Sequence, residues 1–273
     1  MRYESFDCKN VNSIETANLK LYLMDQSPEI DIQTRPIVVI CPGGGYGMTS
    51  DREAEIIAMQ FLSMGYHSAV LRYSVAPAVF PTALLELAKS ILYIRENANE
   101  FNINTNQILL CGFSAGGHLA ASYSVFWNQD FVAEKAGVDN KDLLKPNALI
   151  LGYPVITSGE FAHNGSFKNL LADEYEAKKS ELSLEYLVGA QVPKSFIWHT
   201  YEDKAVPVQN SMLFVNELIK NQIPVEFHMF EKGSHGLALA NRLTRSPRGS
   251  GMEPSAAVWI QLVHTWIENF INE

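Results

Sequence analysis

The sequence has few of the features that stabilise small secreted domains or anchor a chain in a membrane. Its 273 residues include only three cysteines, Cys8, Cys41 and Cys111, an odd and sparse set that argues against a disulfide framework. No apolar run is long enough to span a bilayer, and the N-terminal residues lack an apolar stretch behind a basic patch. We therefore predict a cytoplasmic chain without a membrane partner.

Positive charge is also scarce. The chain has 21 lysine and arginine residues against 30 aspartate and glutamate residues, which gives a formal net charge of -9 at pH 7. A nucleic-acid backbone or an anionic membrane surface would be repelled by this excess of negative charge. The expected partner is therefore a small molecule rather than a nucleic acid, and the composition leaves the oligomeric state open.

Linkers, repeats and metal-binding patterns are missing as well. No Pro/Ser-rich or low-complexity tract divides the chain, so residues 1–273 are predicted to form a single domain. No spacing of His, Cys and Asp resembles a metal site, and the HExxH pattern is absent. We expect neither a metal nor a cofactor.

What the chain does contain is an alternation of apolar strands and amphipathic helices. Fully apolar runs indicate strands covered on both faces, and a shift to helical spacing between them indicates crossover helices. This alternation predicts an α/β protein with a mostly parallel, doubly wound sheet, whose ligand sites lie at the carboxyl ends of the strands. The predicted strands are 19–24, 36–41, 67–73, 107–110, 148–153, 195–199 and 225–230, and the clearest helices are 51–64, 82–97 and 256–271.

The most informative motif is CGFSAGGH at residues 111–118. It follows an apolar strand and precedes a helix, the context in which G-x-S-x-G forms a sharp turn that exposes a nucleophilic serine. The residues around such a turn must be small so that the strand and the helix can pass each other, and Gly112, Gly116 and Gly117 meet this need. The motif predicts Ser114 as a nucleophile.

A serine hydroxyl is a weak nucleophile, so it needs a histidine base and an acid that orients the histidine. His235 follows the last predicted strand between glycines, and Asp203 follows the preceding strand, which places Ser, Asp and His in a chain order known for serine hydrolases. Glu202 is an alternative acid, and His118 is an alternative base. The other candidates are weaker: Asp173 lies in a polar surface stretch, and the following histidines are expected to be structural or exposed: His67, His163, His199 and His228.

A second glycine-rich loop, CPGGGYG at residues 41–47, follows the strand 36–41. Ester hydrolysis builds negative charge on a carbonyl oxygen, and fixed backbone N–H groups stabilise it by about 3 kcal/mol each. We predict an oxyanion hole made of the N–H groups of Gly44, Gly45 and Ala115. A phosphate-binding loop is the competing interpretation, but no Gly-Lys-Ser/Thr follows and the next helix begins with acidic residues.

Taken together, these motifs resemble the α/β-hydrolase fold, in particular carboxylesterases of the acetyl-xylan-esterase and hormone-sensitive-lipase-like kind. The resemblance covers nearly the whole chain and includes PGGGY at 42–46, RYSVAP at 72–77, YPVI at 153–156 and SHG at 234–236. The lipase-like members usually have histidine where this chain has Pro42, and they carry a sizeable N-terminal cap. The resemblance therefore implies the acetyl-esterase branch, with a small cap or none.

The implied reaction is hydrolysis of short-acyl esters, acetyl esters of carbohydrate or similar alcohols first among them, through an acyl-serine. Two alternatives remain open, namely an amide-cleaving serine hydrolase and a non-catalytic binding member of the fold. The only long insertion, residues 157–191, is either a small lid or an ordinary surface excursion. Aromatic residues near the strand ends are candidate walls of a substrate pocket: Tyr46, Phe113, Phe161 and Tyr201.

Overall fold

The computed structural model describes residues 1–272 and contains an eight-stranded sheet flanked by helices. The strands are β1 (Arg2–Phe6), β2 (Asn18–Leu23), β3 (Arg35–Cys41), β4 (His67–Arg72), β5 (Ile103–Phe113), β6 (Ala148–Gly152), β7 (Ser195–Thr200) and β8 (Val225–Phe230). Their order across the sheet is β1-β2-β4-β3-β5-β6-β7-β8. The β1–β2 and β2–β4 pairs are antiparallel, and the other pairs are parallel. The predicted doubly wound, mostly parallel α/β architecture is confirmed.

Ten α-helices connect or follow the strands among these residues. They are α1 (Glu55–Ser63), α2 (Thr82–Glu96), α3 (Ala98–Phe101), α4 (Ser114–Phe126), α5 (Asp130–Ala136), α6 (Asn164–Leu171), α7 (Tyr175–Lys178), α8 (Gln209–Lys220), α9 (Pro254–Ala257) and α10 (Trp259–Ile271). None of the helices within residues 1–272 is long and apolar enough to cross a membrane.

Alternation along the buried strands divides the core into two layers. In β3, Val38 and Ile40 pack with α1 and α10, whereas Ile37 and Val39 face the layer that holds α2, α4 and α8. Successive side chains of a strand point to opposite faces, so an unbroken apolar strand requires a helical layer on each side. The parallel sheet therefore lies in the middle of the molecule, and the carboxyl ends of β3, β5, β7 and β8 share one edge.

Several details differ from the sequence-based prediction. β1 is an additional strand that the prediction missed, because its sequence RYESF has no apolar run and the strand lies exposed at the edge of the sheet. The predicted helix 51–64 is a 3-10 turn (Asp51–Glu53) followed by α1, with a break at Ala54. The predicted helix 256–271 is likewise two helices, α9 and α10.

The insertion between β6 and β7 contains α6, α7 and three 3-10 turns. Its apolar side chains join the core layer that includes α4, and those buried include Phe167, Leu170, Leu171, Leu182 and Leu184. In this arrangement the segment packs on the body of the molecule. That residues 157–191 can act as a small lid stays a prediction.

Candidate active site

The turn between β5 and α4 presents Ser114 in a strained backbone conformation. Ser114 has φ +53°, a left-handed value that costs a non-glycine residue roughly 1–2 kcal/mol. The turn is also closely packed, because a Cβ on Gly116 would lie 2.1 Å from the carbonyl oxygen of Cys41, and one on Gly112 would lie 2.3 Å from that of Gly116. The small residues of the motif therefore allow the strand, the turn and the neighbouring loop to approach one another.

Three side chains from the ends of three strands form a continuous hydrogen-bonded chain. The Oγ of Ser114 lies 2.7 Å from Nε2 of His235, and Nδ1 of His235 lies 2.6 Å from Oδ2 of Asp203. Ser114 follows β5, Asp203 follows β7 and His235 follows β8. The structure thus brings together the three residues that the sequence predicted, in a geometry that allows a proton to pass from serine to histidine.

Asp203 is held as a carboxylate by several donors. It is 4% exposed, and its Oδ1 accepts hydrogen bonds from the N–H groups of Ala205 and Val206, each at 3.0 Å. Buried His199 lies on its other side, with Nε2 3.4 Å from Oδ2. Burial by itself would raise the pKa of Asp203, but the hydrogen bonds with His199 and His235 and the charge of His235 outweigh burial and lower it.

The glycine-rich loop after β3 leaves two N–H groups without an acceptor. No acceptor within residues 1–272 takes a hydrogen bond from the N–H groups of Gly44 or Gly45. The N–H of Ala115 lies in the first turn of α4, where backbone donors have no intrahelical acceptor. Gly43 packs against the elbow, because a Cβ there would lie 2.9 Å from Cβ of Ser114. The loop and the nucleophile are therefore immediate neighbours.

Two buried residues that the sequence analysis did not assign to the site connect these parts. Glu53 accepts a hydrogen bond from the N–H of Gly43 at 2.9 Å and another from the hydroxyl of Tyr153 at 2.6 Å. The ring of Tyr153 also lies edge-on to the ring of His235, with centroids 5.1 Å apart. Tyr153 lies in the YPVI motif of residues 153–156, whereas no local pattern in the sequence marks Glu53 as a neighbour of the site.

The insertion also reaches the site through His163 and Asn169. The Nδ1 of His163 accepts a hydrogen bond from the N–H of Ser166, so in the neutral ring the proton lies on Nε2. Its Cε1 lies 4.0 Å from the position of a Cβ on Gly45, and Asn169 donates to the carbonyl of Gly45 at 2.8 Å. Burial, and then the charge of His235, lower the pKa of His163. Sequence reasoning had treated this histidine as structural or exposed.

The aromatic residues predicted as pocket walls lie in varied surroundings. Phe113 is fully buried and contacts Tyr153 and Trp259, so its side chain belongs to the core. Tyr46 is 3% exposed, with its hydroxyl 2.9 Å from Nδ1 of His118. Phe161 is half-buried and Tyr201 is exposed. An open cleft of about 560 Å³ lies beside the site, and none of these four aromatic residues lines it. Its lining residues are Glu202, Lys204, Ala205, Ser234 and His235.

The alternative residues make contacts of a different kind. His118 lies beneath the elbow, where its Nε2 is 3.1 Å from the carbonyl of Leu182, and burial lowers its pKa to about 4. Glu202 accepts from the N–H of Gly233 at 3.3 Å. The three cysteines are buried and free. Across the described residues no group of three His, Cys, Asp or Glu side chains could hold a metal ion.

Comparison with known proteins places this chain in a family. The BD-FAE family profile matches residues 21–218. The chain is 36% identical over 214 residues to endo-1,4-beta-xylanase B of Butyrivibrio fibrisolvens, a match that covers 76% of this chain and 33% of the relative. It is 27% identical over 206 residues to an acetylxylan esterase of Xylanibacter ruminicola, covering 73% and 40%. The chain thus spans well under half the length of these curated relatives.

A solved structure matches over almost its whole length. The carboxylesterase Cest-2923 of Lactobacillus plantarum is 30% identical, with a TM-score of 0.83 and a coverage of 98% of each chain. The predicted resemblance to α/β-hydrolase-fold esterases is therefore confirmed at the level of the family. The chain belongs to the BD-FAE family, has the α/β-hydrolase fold and is related to carboxylesterases and acetylxylan esterases.

Proposed function

We propose that this protein is a serine esterase that hydrolyses short-acyl esters, with acetyl groups on a carbohydrate or a similar alcohol as the substrate. The observation that carries the proposal is the hydrogen-bonded chain from Asp203 through His235 to Ser114, beside two unpaired N–H groups of the glycine-rich loop. A nucleophile, its base, an orienting acid and donors for an oxyanion are the parts that acyl transfer requires.

In the proposed reaction, Oγ of Ser114 attacks the ester carbonyl carbon while Nε2 of His235 takes the hydroxyl proton. The carbonyl oxygen becomes an oxyanion, which accepts hydrogen bonds from the N–H groups of Gly44, Gly45 and Ala115. The tetrahedral intermediate then expels the alcohol, which receives the proton from His235 and leaves an acyl-serine. A water molecule gives a proton to Nε2 of His235 and attacks the acyl carbon; His235 then returns that proton to Oγ of Ser114 as the bond between Oγ and the acyl carbon breaks, which releases the carboxylic acid and restores the free enzyme.

The acyl and alcohol parts are inferred from two kinds of support. One relative is named an acetylxylan esterase and another a xylanase. In addition, the cleft beside His235 is lined by charged and polar side chains, namely Glu202, Lys204 and Ser234. These side chains can exchange hydrogen bonds with the hydroxyl groups of a carbohydrate. We also infer that residues 1–273 form one domain and that the protein acts in the cytoplasm.

The test compares wild type with Ser114→Ala on acetylated xylo-oligosaccharides and on 4-nitrophenyl esters of increasing acyl length. We expect acetate release by wild type, a decline of kcat/KM with longer acyl chains, and loss of turnover in Ser114→Ala. Aminoacyl-arylamides and N-formyl substrates serve as the amide comparison. Equal rates for the two proteins, or faster cleavage of the amides, would contradict the proposal.

A further inference from the structure

The geometry points to Glu53 and Tyr153 as positioning residues that tie the glycine-rich loop of residues 41–47, hereafter the oxyanion loop, to the loop of the catalytic histidine. The inference rests on the proposed function, because it assigns these residues a part in the same hydrolytic site. We call this chain of contacts the Glu53–Tyr153 tether; it runs from Gly43 through Glu53 and Tyr153 to Ala238.

The tether spans three loops that are far apart in sequence. The Oε2 of Glu53 accepts from the N–H of Gly43 at 2.9 Å, and its Oε1 accepts from the hydroxyl of Tyr153 at 2.6 Å. The same hydroxyl accepts from the N–H of Ala238 at 2.8 Å. Gly43 lies in the oxyanion loop, Tyr153 follows β6, and Ala238 lies three residues beyond His235. One carboxylate and one phenol therefore connect both sides of the site.

The tether is buried, so its hydrogen bonds are costly to break and hold the groups that they join in place. Glu53 is 4% exposed and Tyr153 is 1% exposed. A buried carboxylate that lost a donor would leave an acceptor unpaired away from water, so each member holds its neighbour in place. The pKa of Tyr153 is raised well above its ordinary value, first by burial and then by the charge of Glu53, so the phenol keeps its proton and remains a donor.

The 3-10 turn that carries Glu53 makes a second connection to the histidine loop. Arg52, the preceding residue, donates from Nε to the carbonyl of Thr244 at 2.6 Å. Its Nη1 lies 3.9 Å from the position of a Cβ on Gly236, the residue after His235. Adjacent side chains of one short turn thus reach the same loop by two routes. The break before α1 at Ala54 separates this turn from the regular helix.

The tether fixes the position of Gly43, the residue before the two N–H groups that are proposed to bind the oxyanion. With its N–H bound to Glu53, Gly43 is fixed against the elbow, and the next two N–H groups stay free for the oxyanion. The ring of Tyr153 meanwhile packs edge-on against His235. Loss of the tether lets the donors and the base shift relative to Ser114. A displacement of about 1 Å at a catalytic group can reduce the rate by up to about 10²-fold.

The experiment uses Tyr153→Phe and Glu53→Gln in the full chain. Tyr153→Phe keeps the ring against His235 but removes the hydroxyl that joins Glu53 to Ala238. In Glu53→Gln the single amide oxygen can accept from only one of the two donors, while the amide nitrogen faces the other. We expect each variant to lower kcat for 4-nitrophenyl acetate by about 10- to 100-fold with KM nearly unchanged. The double variant should lose little more than either single variant, because both changes break one chain of contacts.

Tyr66→Phe is the matched control. The hydroxyl of Tyr66 donates to Oε1 of Glu268 at 2.6 Å, the same distance as in the tether, and its ring packs in the same core layer. This pair joins the turn before β4 to α10, away from the three catalytic residues. We expect Tyr66→Phe to lower the melting temperature while leaving kcat unchanged. A purely structural role of Tyr153 would give the same pattern.

A transition-state readout separates positioning from folding. A trifluoromethyl ketone, which binds serine hydrolases as a tetrahedral oxyanion, should bind Tyr153→Phe and Glu53→Gln more weakly in proportion to the loss in kcat/KM. Unchanged kcat and ketone affinity in both variants, with only a lower melting temperature, would overturn the tether alone. Absence of ester turnover and of fluorophosphonate labelling in wild type would instead overturn the proposed function and the tether with it.

Discussion

Asp203 and Glu202 are adjacent carboxylates with different surroundings. Asp203 is buried and receives hydrogen bonds from His235 and from two backbone N–H groups. Glu202 is exposed and makes one longer contact with the N–H of Gly233. A carboxylate that orients a histidine must hold its place while the ring gains and loses a proton, and only Asp203 is held by fixed donors of this kind.

The distinction predicts different results for two conservative variants. Asp203→Asn keeps the shape of the side chain but removes the charge that supports the histidine, so kcat/KM should fall by about 10³- to 10⁴-fold, as for the equivalent change in a serine protease. Glu202→Gln should keep kcat/KM within a few-fold of wild type. Steady-state rates with 4-nitrophenyl acetate measure both. A larger loss in Glu202→Gln would assign the acid to Glu202.

At the scale of elements, the site depends on how closely α4 approaches the end of β3. Gly116 lies in the first turn of α4, and a Cβ there would lie 2.1 Å from the carbonyl oxygen of Cys41 and 2.3 Å from that of Pro42. Both contacts are with backbone atoms, which cannot move aside as a flexible side chain can. The helix therefore rests directly on the strand end that leads into the glycine-rich loop of residues 41–47.

This contact predicts that Gly116→Ala is severely damaging. The added methyl group must push α4 and β3 apart, so we expect a loss of about 3 kcal/mol in unfolding free energy and a fall in kcat/KM. Gly137→Ala is the control, because nothing lies within 4 Å of a Cβ there and only its φ of +75° is unfavourable. It should cost about 1 kcal/mol and leave activity intact. Urea unfolding and ester turnover measure these effects, and equal behaviour of the two variants would contradict the packing argument.

At the scale of the whole molecule, two uncharged histidines lie inside the helical and sheet layers. His67 begins β4 and is 0% exposed, and His118 lies in α4 and is 1% exposed. Burial lowers the pKa of each to about 4, against an ordinary value of about 6.5 in the unfolded chain. Between these values the unfolded state binds protons that the folded state does not. Stability is therefore lost as the pH falls through this window.

We expect the unfolding free energy to decrease as the pH is lowered from 6.5 to 4, by up to about 1.4 kcal/mol per pH unit for each buried histidine. Urea unfolding at pH 7, 6, 5 and 4 measures the slope. His118→Gln should reduce the slope by about one proton, whatever its effect on stability at pH 7. An unchanged slope in this variant would show that His118 does not titrate as its burial requires.

Much of the fold and the residues proposed to be catalytic could be predicted, because local chemistry specifies them. The apolar run of β3 and the small residues around Ser114 are visible in the sequence, and they require a covered strand and a tight turn wherever they occur. β1 could not be predicted in the same way, because an exposed edge strand needs no apolar run. The breaks at Ala54 and Val258 also escaped prediction, since the spacing of apolar residues does not reveal an interruption of one residue between two helical segments.

The sequence by itself determined which type of reaction to expect at the candidate site, because a serine on a tight turn, a loop histidine and a glycine-rich loop each have few other uses. Only the tertiary structure decided which residues support them. Glu53 and His163 carry no local signal for a place at the site, and the YPVI motif does not show that the phenol of Tyr153 reaches Glu53, which lies 100 residues away in the sequence. Hydrogen bonds between distant loops depend on how the sheet aligns its strand ends, and that alignment exists only in the folded chain.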